Sequence, residues 1–345
     1  MKPAECLEGL ELEGGWKVAS IVAPHRASTG GHFSIGYVVA SAEGSRAFLK
    51  ALDFSGAFQT PDPARALEAM TSAYNFERDL LERCKRRDLK RIVVPIADGS
   101  VQVPGDFGPL GRVSYLIFEF AKGDIRRIVA ESSSLDLAWC LRSLHQTCVG
   151  LMQLHSIGVA HQDLKPSNVL VFEIGGSKIS DLGRAFCQGL ASPADDLRIP
   201  GDLSYAPPEL FYAGLRSELI GRFNADLYML GSLIFFYFVQ CSATHALQTK
   251  LRSLYSGGVS LSDFTHDLPY WKQAFAEAIS DLRRAVDPVA GRLSNEIVSV
   301  TKELCEPDPA RRGDPRFFGE YTLLSLERYT SRFNLLARKA ELRLV

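Results

Sequence analysis

Asp163, Lys165 and Asn168 stand close together in Asp163-Leu164-Lys165-Pro166-Ser167-Asn168, and a second acid follows in Asp181-Leu182-Gly183. A carboxylate so placed can orient an attacking hydroxyl and accept its proton. A lysine beside it can offset charge that grows on a transferred group. An amide oxygen together with a second carboxylate suits a hard divalent cation. Those are the parts that phosphoryl transfer asks of a protein, since that chemistry rests on positioning and electrostatics. A lone Asp-x-Lys is most often a surface ion pair; the combination carries the argument.

These side chains need elements to hold them. Leu135–Ile157 reads as one amphipathic helix, with Leu137, Leu141, Leu144, Cys148, Leu151 and Leu154 at three- and four-residue steps. Short strands at Val169–Phe172 and Lys178–Ile179 follow the loop, and a hairpin between them would bring Asp163 and Asp181 to one site. Upstream, runs at 17–22, 37–40 and 47–50, parted by Gly, Pro and Ser, predict an antiparallel meander. A helix is expected over about Pro63–Lys85, then strands at Ile92–Ile96 and Val113–Phe120 around a Gly/Pro-rich turn. The apolar run Leu227–Cys241 reads as a buried core helix, because it is short for a bilayer span. The resulting division is a poorly ordered lead-in at 1–15, a β-rich lobe at 16–120, a helical lobe at 121–320 and a helical extension at 321–345. A cleft between two such lobes is a natural ligand site.

The stretch His161 to Asn168, taken with Asp181-Leu182-Gly183, resembles the catalytic loop and metal-binding motif of eukaryotic-type protein kinases, H-R-D-x-K-x-x-N and D-F-G. The resemblance runs from about residue 16 to 320. It implies an α+β bilobal protein kinase fold, with a small antiparallel N-lobe sheet, one main N-lobe helix and a larger helical C-lobe. It implies ATP and Mg²⁺, with Mn²⁺ as an alternative ion. Asp163 and Lys165 would be catalytic, and Asn168 and Asp181 would hold metal. Lys50, closing the strand Ala47–Lys50, is similar to the phosphate-binding lysine, and Glu77 resembles its helical partner in preference to Glu68 or Glu82. Phe118-Glu119-Phe120-Ala121 resembles the inter-lobe hinge: Phe118 as gatekeeper, the backbone of Glu119 and Ala121 toward the adenine edge, and Asp124 at the ribose or as a helix cap. Tyr205–Glu209 resembles the A-P-E motif. Asn224–Gly231 resembles the start of a buried helix whose aspartate, Asp226, bonds the catalytic-loop backbone. Asp308–Arg312 resembles the motif whose arginine pairs with the A-P-E glutamate, here Arg312 with Glu209.

Three departures stand out. The stretch Ser28–Val38 is similar only to a degenerate glycine-rich loop. In one register Gly31 leads and Phe33 replaces the middle glycine. In the other, which is preferred, Phe33 takes the loop tip and Ser34 replaces the last glycine, so that Gly30, Gly31 and Phe33 would cover the phosphates. Gln162 replaces the arginine of H-R-D; an amide cannot pair with phosphate as an ion, so activation by loop phosphorylation is not expected. Asp202 stands where threonine is common, able to pair with Lys165 yet repelling Asp163. The resemblance implies an ATP- and Mg-dependent kinase of serine/threonine hydroxyls on a protein substrate. The alternatives are a kinase-fold scaffold with little turnover and a kinase of a small-molecule hydroxyl.

Composition bounds the partners. The chain of 345 residues is 46% hydrophobic and 23% charged, with a formal charge of −1. That near-neutral balance argues against nucleic acid and an anionic membrane as partners. The basic cluster Arg83, Lys85, Arg86, Arg87, Lys90 and Arg91 reads as a solvated helix end. Cys count is 7, scattered without a Cys-x-x-Cys pair, which suggests free thiols in a reducing compartment and no zinc site. With no signal-type apolar stretch at the start, a cytoplasmic location is expected. The tail from Phe317 could pack as a last helix or serve as a partner-binding arm, and Asp53–Pro63 offers a further regulatory contact.

Overall fold

The computed structural model describes residues 2–22, 34–212, 219–255, 263–318 and 323–343. Gly30, Gly31 and Phe33 lie outside the described residues. The chain divides into two compact units, Met1–Asp88 with Ile92–Lys122, and Leu89–Arg91 with Gly123–Val345.

The first unit is a six-stranded antiparallel sheet with one long helix. Its strands are β1 (Glu11–Leu12), β2 (Trp16–Ile21), β3 (Ser34–Ser41), β4 (Arg46–Leu52), β5 (Pro95–Gln102) and β6 (Arg112–Glu119), in the order β1-β2-β3-β4-β6-β5. Alternation sets the faces: Ala47, Leu49 and Ala51 of β4 join Tyr37, Val39, Tyr115 and Ile117 in one core. Lys50 points to the other face, opposite Gly36 on β3 and Leu116 on β6. Helix α1 (Pro63–Arg86) starts where proline tolerates a helix best, after Asp62, whose carboxylate accepts from the Arg65 N–H at 3.1 Å. It ends in Arg83, Lys85 and Arg86, basic residues that suit the negative end of its dipole.

Two expectations fail here. Strand β5 begins at Pro95 and runs to Gln102, not over Ile92–Ile96. Ile92 and Val93 are buried ahead of it, which accounts for their apolar character. The lead-in at 1–15 is not loose. Ala4, Leu7 and Leu12 enter the sheet's core, and the buried Tyr37 hydroxyl donates to the Ala4 carbonyl at 2.7 Å. Lys2 reaches Asp53 at 2.8 Å, and Asp53 in turn accepts from the Ser55 N–H, so the lead-in is tied to the link before α1.

The second unit opens with β7 (Gly123–Asp124) and α2 (Ile125–Glu131), followed by α3 (Leu137–Ser156). Asp136 caps α3 by accepting from the Trp139 N–H at 3.0 Å. Then come β8 (Val159–Ala160), β9 (Val169–Phe172), β10 (Gly176–Ile179) and β11 (Phe186–Cys187). Strands β10-β9-β7 form one small sheet and β11-β8 another. The rest is helical: α4 (Leu219–Val239), α5 (Ala243–Leu254), α6 (Phe264–Ala290), α7 (Ser294–Leu304) and α8 (Leu323–Glu341).

Helix α4 is apolar and long enough to cross a membrane, yet 72% of its most apolar window is buried within this unit. Gly231 explains part of that packing: a Cβ there would stand 2.8 Å from Leu304 Cβ, so only glycine admits the end of α7 this close. Helix α8 packs on α3, as the last-helix reading of the tail expects. Tyr329, Phe333, Leu336 and Ala337 are buried, and Arg142 Nη1 donates to Asn334 Oδ1 at 2.9 Å. Leu342, by contrast, is 70% exposed.

Candidate active site

Hairpin register assembles the acids. Val169 on β9 pairs with Ile179 on β10. One step further, the Ser180 N–H donates to the Asn168 carbonyl at 2.9 Å, which puts Asn168 beside the residue that precedes Asp181. The expected short hairpin therefore forms. Asp181 itself sits at φ +62°, and Gln162 at the same value. A non-glycine residue held there costs about 1–3 kcal/mol, strain that persists only where surrounding contacts impose it.

Asp163 is the hub. Its Oδ2 lies 3.0 Å from Lys165 Nζ and accepts from Asn168 Nδ2 at 3.1 Å. Its Oδ1 accepts from the Asp202 N–H at 2.7 Å. Burial raises the Asp163 pKa above its ordinary value, opposed chiefly by Lys165 and then by the Asp202 amide. Asp202 goes the other way. Burial alone would raise it, but the Ser204 hydroxyl and N–H, with Lys165, hold it low. Its Oδ2 is 3.6 Å from Lys165 Nζ, so the expected pairing with Lys165 exists. The feared repulsion is met by the Asp202 amide, which donates to Asp163.

A framework beneath the loop fixes this geometry. Asp226 on α4 is fully buried and accepts from the His161 N–H at 2.7 Å and the Gln162 N–H at 2.8 Å. His155 Nε2 stands 2.7 Å from the same carboxylate. The His161 ring bonds backbone groups: Nδ1 accepts from the Asp163 N–H, and Nε2 meets the Ser180 carbonyl at 3.1 Å, which fixes the Nε2–H tautomer. Arg312 forks onto Glu209 at 2.6 and 2.8 Å.

Asn168 and Asp181 fit a divalent cation. Asn168 Nδ2 also donates to the Asp163 carbonyl at 2.8 Å, so the amide is oriented and its oxygen turns away from Asp163. Among the described residues that oxygen takes only a 3.2 Å contact from the Ser167 hydroxyl. Among the described residues no donor engages the half-buried Asp181 carboxylate. Two hard oxygen donors on adjoining strand ends are the kind of set Mg²⁺ prefers.

In the first unit, Lys50 Nζ meets both carboxylate oxygens of Glu77, at 2.9 and 2.8 Å. Glu77 is buried and Glu68 exposed, while Glu82 pairs with Arg86 at 3.7 Å. Phe118 is buried on β6 opposite Phe48, Glu119 ends that strand, and Ala121 follows it. In the second unit, Asp124 takes the capping role: its carboxylate accepts from the Arg127 N–H at 2.9 Å and starts α2.

Two residues of this site were not singled out from sequence. A Cβ on Gly201 would collide with the Gln162 carbonyl and stand 2.6 Å from Asp163 Oδ1, so glycine alone lets this segment lie on the loop that bears Asp163. Arg222 on α4 donates to Gln162 Oε1 at 2.7 Å. It lies four residues before Asp226, one helical turn on the same face, which is a signal the sequence does carry.

Comparison with known proteins agrees with this geometry. The protein kinase domain family matches residues 77–316, and the chain belongs to that family. It is 27% identical over 200 residues to the mouse hormonally up-regulated neu tumor-associated kinase, covering 57% of this chain and 24% of that protein. It is 26% identical over 150 residues to the serine/threonine-protein kinase PknA of Mycobacterium tuberculosis, covering 42% and 34%. To the probable serine/threonine-protein kinase KCC4 of Saccharomyces cerevisiae it is 32% identical over 123 residues, covering 35% and 11%. The chain thus spans between 11% and 34% of the length of these relatives. The family match begins at Glu77, so Lys50 and the glycine-bearing stretch lie ahead of it.

Proposed function

We propose that this chain is a serine/threonine protein kinase that transfers the γ-phosphoryl group of Mg·ATP to a protein hydroxyl, without needing activation-loop phosphorylation. The observation that carries this reading is the contact set of Asp163, with Lys165, Asn168 and the Asp202 amide all on one carboxylate. Relatives named as serine/threonine-protein kinases support the acceptor class.

In this mechanism Asp163 accepts the proton of the substrate hydroxyl as its oxygen bonds to the γ-phosphorus and the bond to ADP breaks. The pKa of Asp163, raised by burial, makes it a stronger base than an ordinary aspartate while Lys165 keeps it ionised. Lys165 also offsets charge on the group in transit. Mg²⁺, held by the Asn168 amide oxygen and Asp181, would neutralise phosphate charge. Lys50, oriented by both oxygens of Glu77, is assigned to the α- and β-phosphates. The backbone of Glu119 and Ala121 is assigned to the adenine edge.

The test is incubation of the chain with labelled ATP and Mg²⁺, alone and with a generic protein acceptor, beside Asp163→Ala. Label on serine or threonine with the native chain only is the expected result. Nucleotide binding without label on any protein would favour the scaffold instead, and label on a small hydroxyl compound alone would favour the small-molecule kinase.

A further inference from the structure

Gln162 precedes Asp163 and is bonded through its N–H and both polar atoms of its side chain. Its N–H goes to Asp226, its Nε2 donates to the Arg184 carbonyl at 3.0 Å, and its Oε1 accepts from Arg222 Nη1 at 2.7 Å. Helix α4 therefore holds the catalytic loop twice, through Asp226 to the backbone and through Arg222 to a side chain. Arg222 does not stop there. Its Cζ lies 4.5 Å from the centroid of the Phe186 ring, and its Nη2 donates to the Asp195 carbonyl at 3.3 Å. Nη1 is 3.9 Å from Asp195 Oδ1, a buried oxygen with no hydrogen-bond partner among the described residues. The guanidinium is mostly buried, with 14% of the side chain exposed.

Asp195 is anchored from its own side. Its Oδ2 accepts from the Ser192 N–H at 2.8 Å, and the buried Ser192 hydroxyl accepts from the Ala194 N–H at 3.2 Å. Ser192 is thus folded inward and used by the turn, not offered to solvent as a modification site.

The geometry points to Arg222 as a positioning residue for phosphoryl transfer: a cation on α4 that clasps the segment Phe186–Asp195 to the loop bearing Asp163, with Asp195 as its fixed counter-charge. A carboxylate in the chain then does what an added phosphate would do elsewhere, so the segment is ordered as synthesised. The role suits arginine, whose planar fork can meet an amide oxygen, a carbonyl, a carboxylate and a ring face together, which an ammonium cannot. This inference rests on the proposed kinase reading, and it adds the device that makes loop phosphorylation unnecessary.

The test uses the full chain after phosphatase treatment. Amide hydrogen exchange over 186–197 is compared for the native chain, Arg222→Ala, Arg222→Lys, Asp195→Asn and the Arg222→Ala/Asp195→Asn pair, with kcat and KM for ATP measured in parallel. Exchange of this segment should rise about tenfold or more in each single variant, and the double variant should be no worse than Arg222→Ala, because coupled partners are not additive. Turnover should fall about tenfold or more through kcat, with the ATP KM little changed. Gln162→Arg placed in the Arg222→Gln background should recover part of the lost protection by supplying the cation from the loop. Unchanged exchange in both Arg222→Ala and Asp195→Asn, strictly additive effects, or loss of native turnover on phosphatase treatment would each overturn the clasp. The Asp195→Asn arm decides the matter if Arg222→Ala does not fold. Exchange decides it even if no acceptor is ever phosphorylated, so failure of the clasp and failure of the kinase reading remain distinct.

Discussion

The backbone N–H of Asp202 donates to Asp163 Oδ1 at 2.7 Å, and this bond exists because Gly201 lets the two segments touch. A Cβ at Gly201 would stand 2.8 Å from Asp163 Cα as well as against the Gln162 carbonyl, both backbone neighbours with nowhere to go. Gly201→Ala should therefore push the Asp202 amide off Asp163. Misplacing a catalytic group by about 1 Å can cost on the order of 10²-fold in rate, so kcat should fall on that scale. Steady-state kinetics beside a melting curve check this, with the fold expected to survive and turnover not.

The raised pKa of Asp163 has a direction that kinetics can read. Asp163 must be ionised to take a proton, so rate is lost as pH falls through its folded pKa. Burial moves that point above the ordinary carboxylate value, and Lys165 is the main group opposing the shift. Lys165→Met should move the acid limb of the kcat–pH profile to higher pH still, besides lowering the plateau. An acid limb that stays in place in the variant would contradict the assignment of Asp163 as base.

The Lys50–Glu77 pair separates activity from stability. The two side chains are 23% and 11% exposed, so the pair keeps some contact with solvent and its loss should cost less stability than the loss of about 3–5 kcal/mol for a fully buried pair. Lys50→Met should nevertheless reduce kcat/KM for ATP by about 10²-fold, as removal of one preorganised charge-stabilising group does. Denaturant titration and ATP kinetics on the same preparation measure both.

The cluster around Asp163 is legible in sequence because its residues are packed into a short stretch. Asp163, Lys165 and Asn168 lie within one loop, and the hairpin to Asp181 follows from the apolar run Val169–Phe172 and the short strand at Lys178–Ile179. The Glu209–Arg312 tie was legible only through resemblance, since nothing local predicts a partner so distant in the chain. Gly201 and Arg222 are harder to read because their roles are long-range packing facts: a missing Cβ leaves no trace, and the four-residue step from Arg222 to Asp226 marks a shared helix face but not the segments the guanidinium bridges. The lead-in was misread for a similar reason. Ala4, Leu7 and Leu12 are too few and too widely spaced to show a period, yet each finds the sheet's core.

The ordered lead-in has its own test. Leu7 is fully buried in the first unit's core. Leu7→Ala should cost about 2–5 kcal/mol by transfer loss plus cavity, whereas a loose lead-in would tolerate it freely. Urea unfolding of the variant decides between them.

Arg312 offers the sharpest stability contrast in the second unit. Burial alone would lower its pKa, but the Glu209 carboxylate overrides this and holds the guanidinium charged. It also donates to the carbonyls of Glu306, Asn224 and Pro307, at 2.9, 3.2 and 3.4 Å. Arg312→Ala therefore leaves a buried carboxylate unpaired and those carbonyls without their donor. The expected loss is about 3–5 kcal/mol, the range for breaking a buried pair from one side. Glu209→Gln keeps an oxygen for the guanidinium and leaves the carbonyl bonds intact, so it should cost less. Replacing both partners by leucine and methionine should recover part of the Arg312→Ala loss, because no lone charge remains, but not all of it, because the carbonyls stay orphaned. Chemical denaturation of the three variants gives the order directly: an Arg312→Ala loss no greater than that of Glu209→Gln would mean the pair, not the carbonyl set, carries the whole effect.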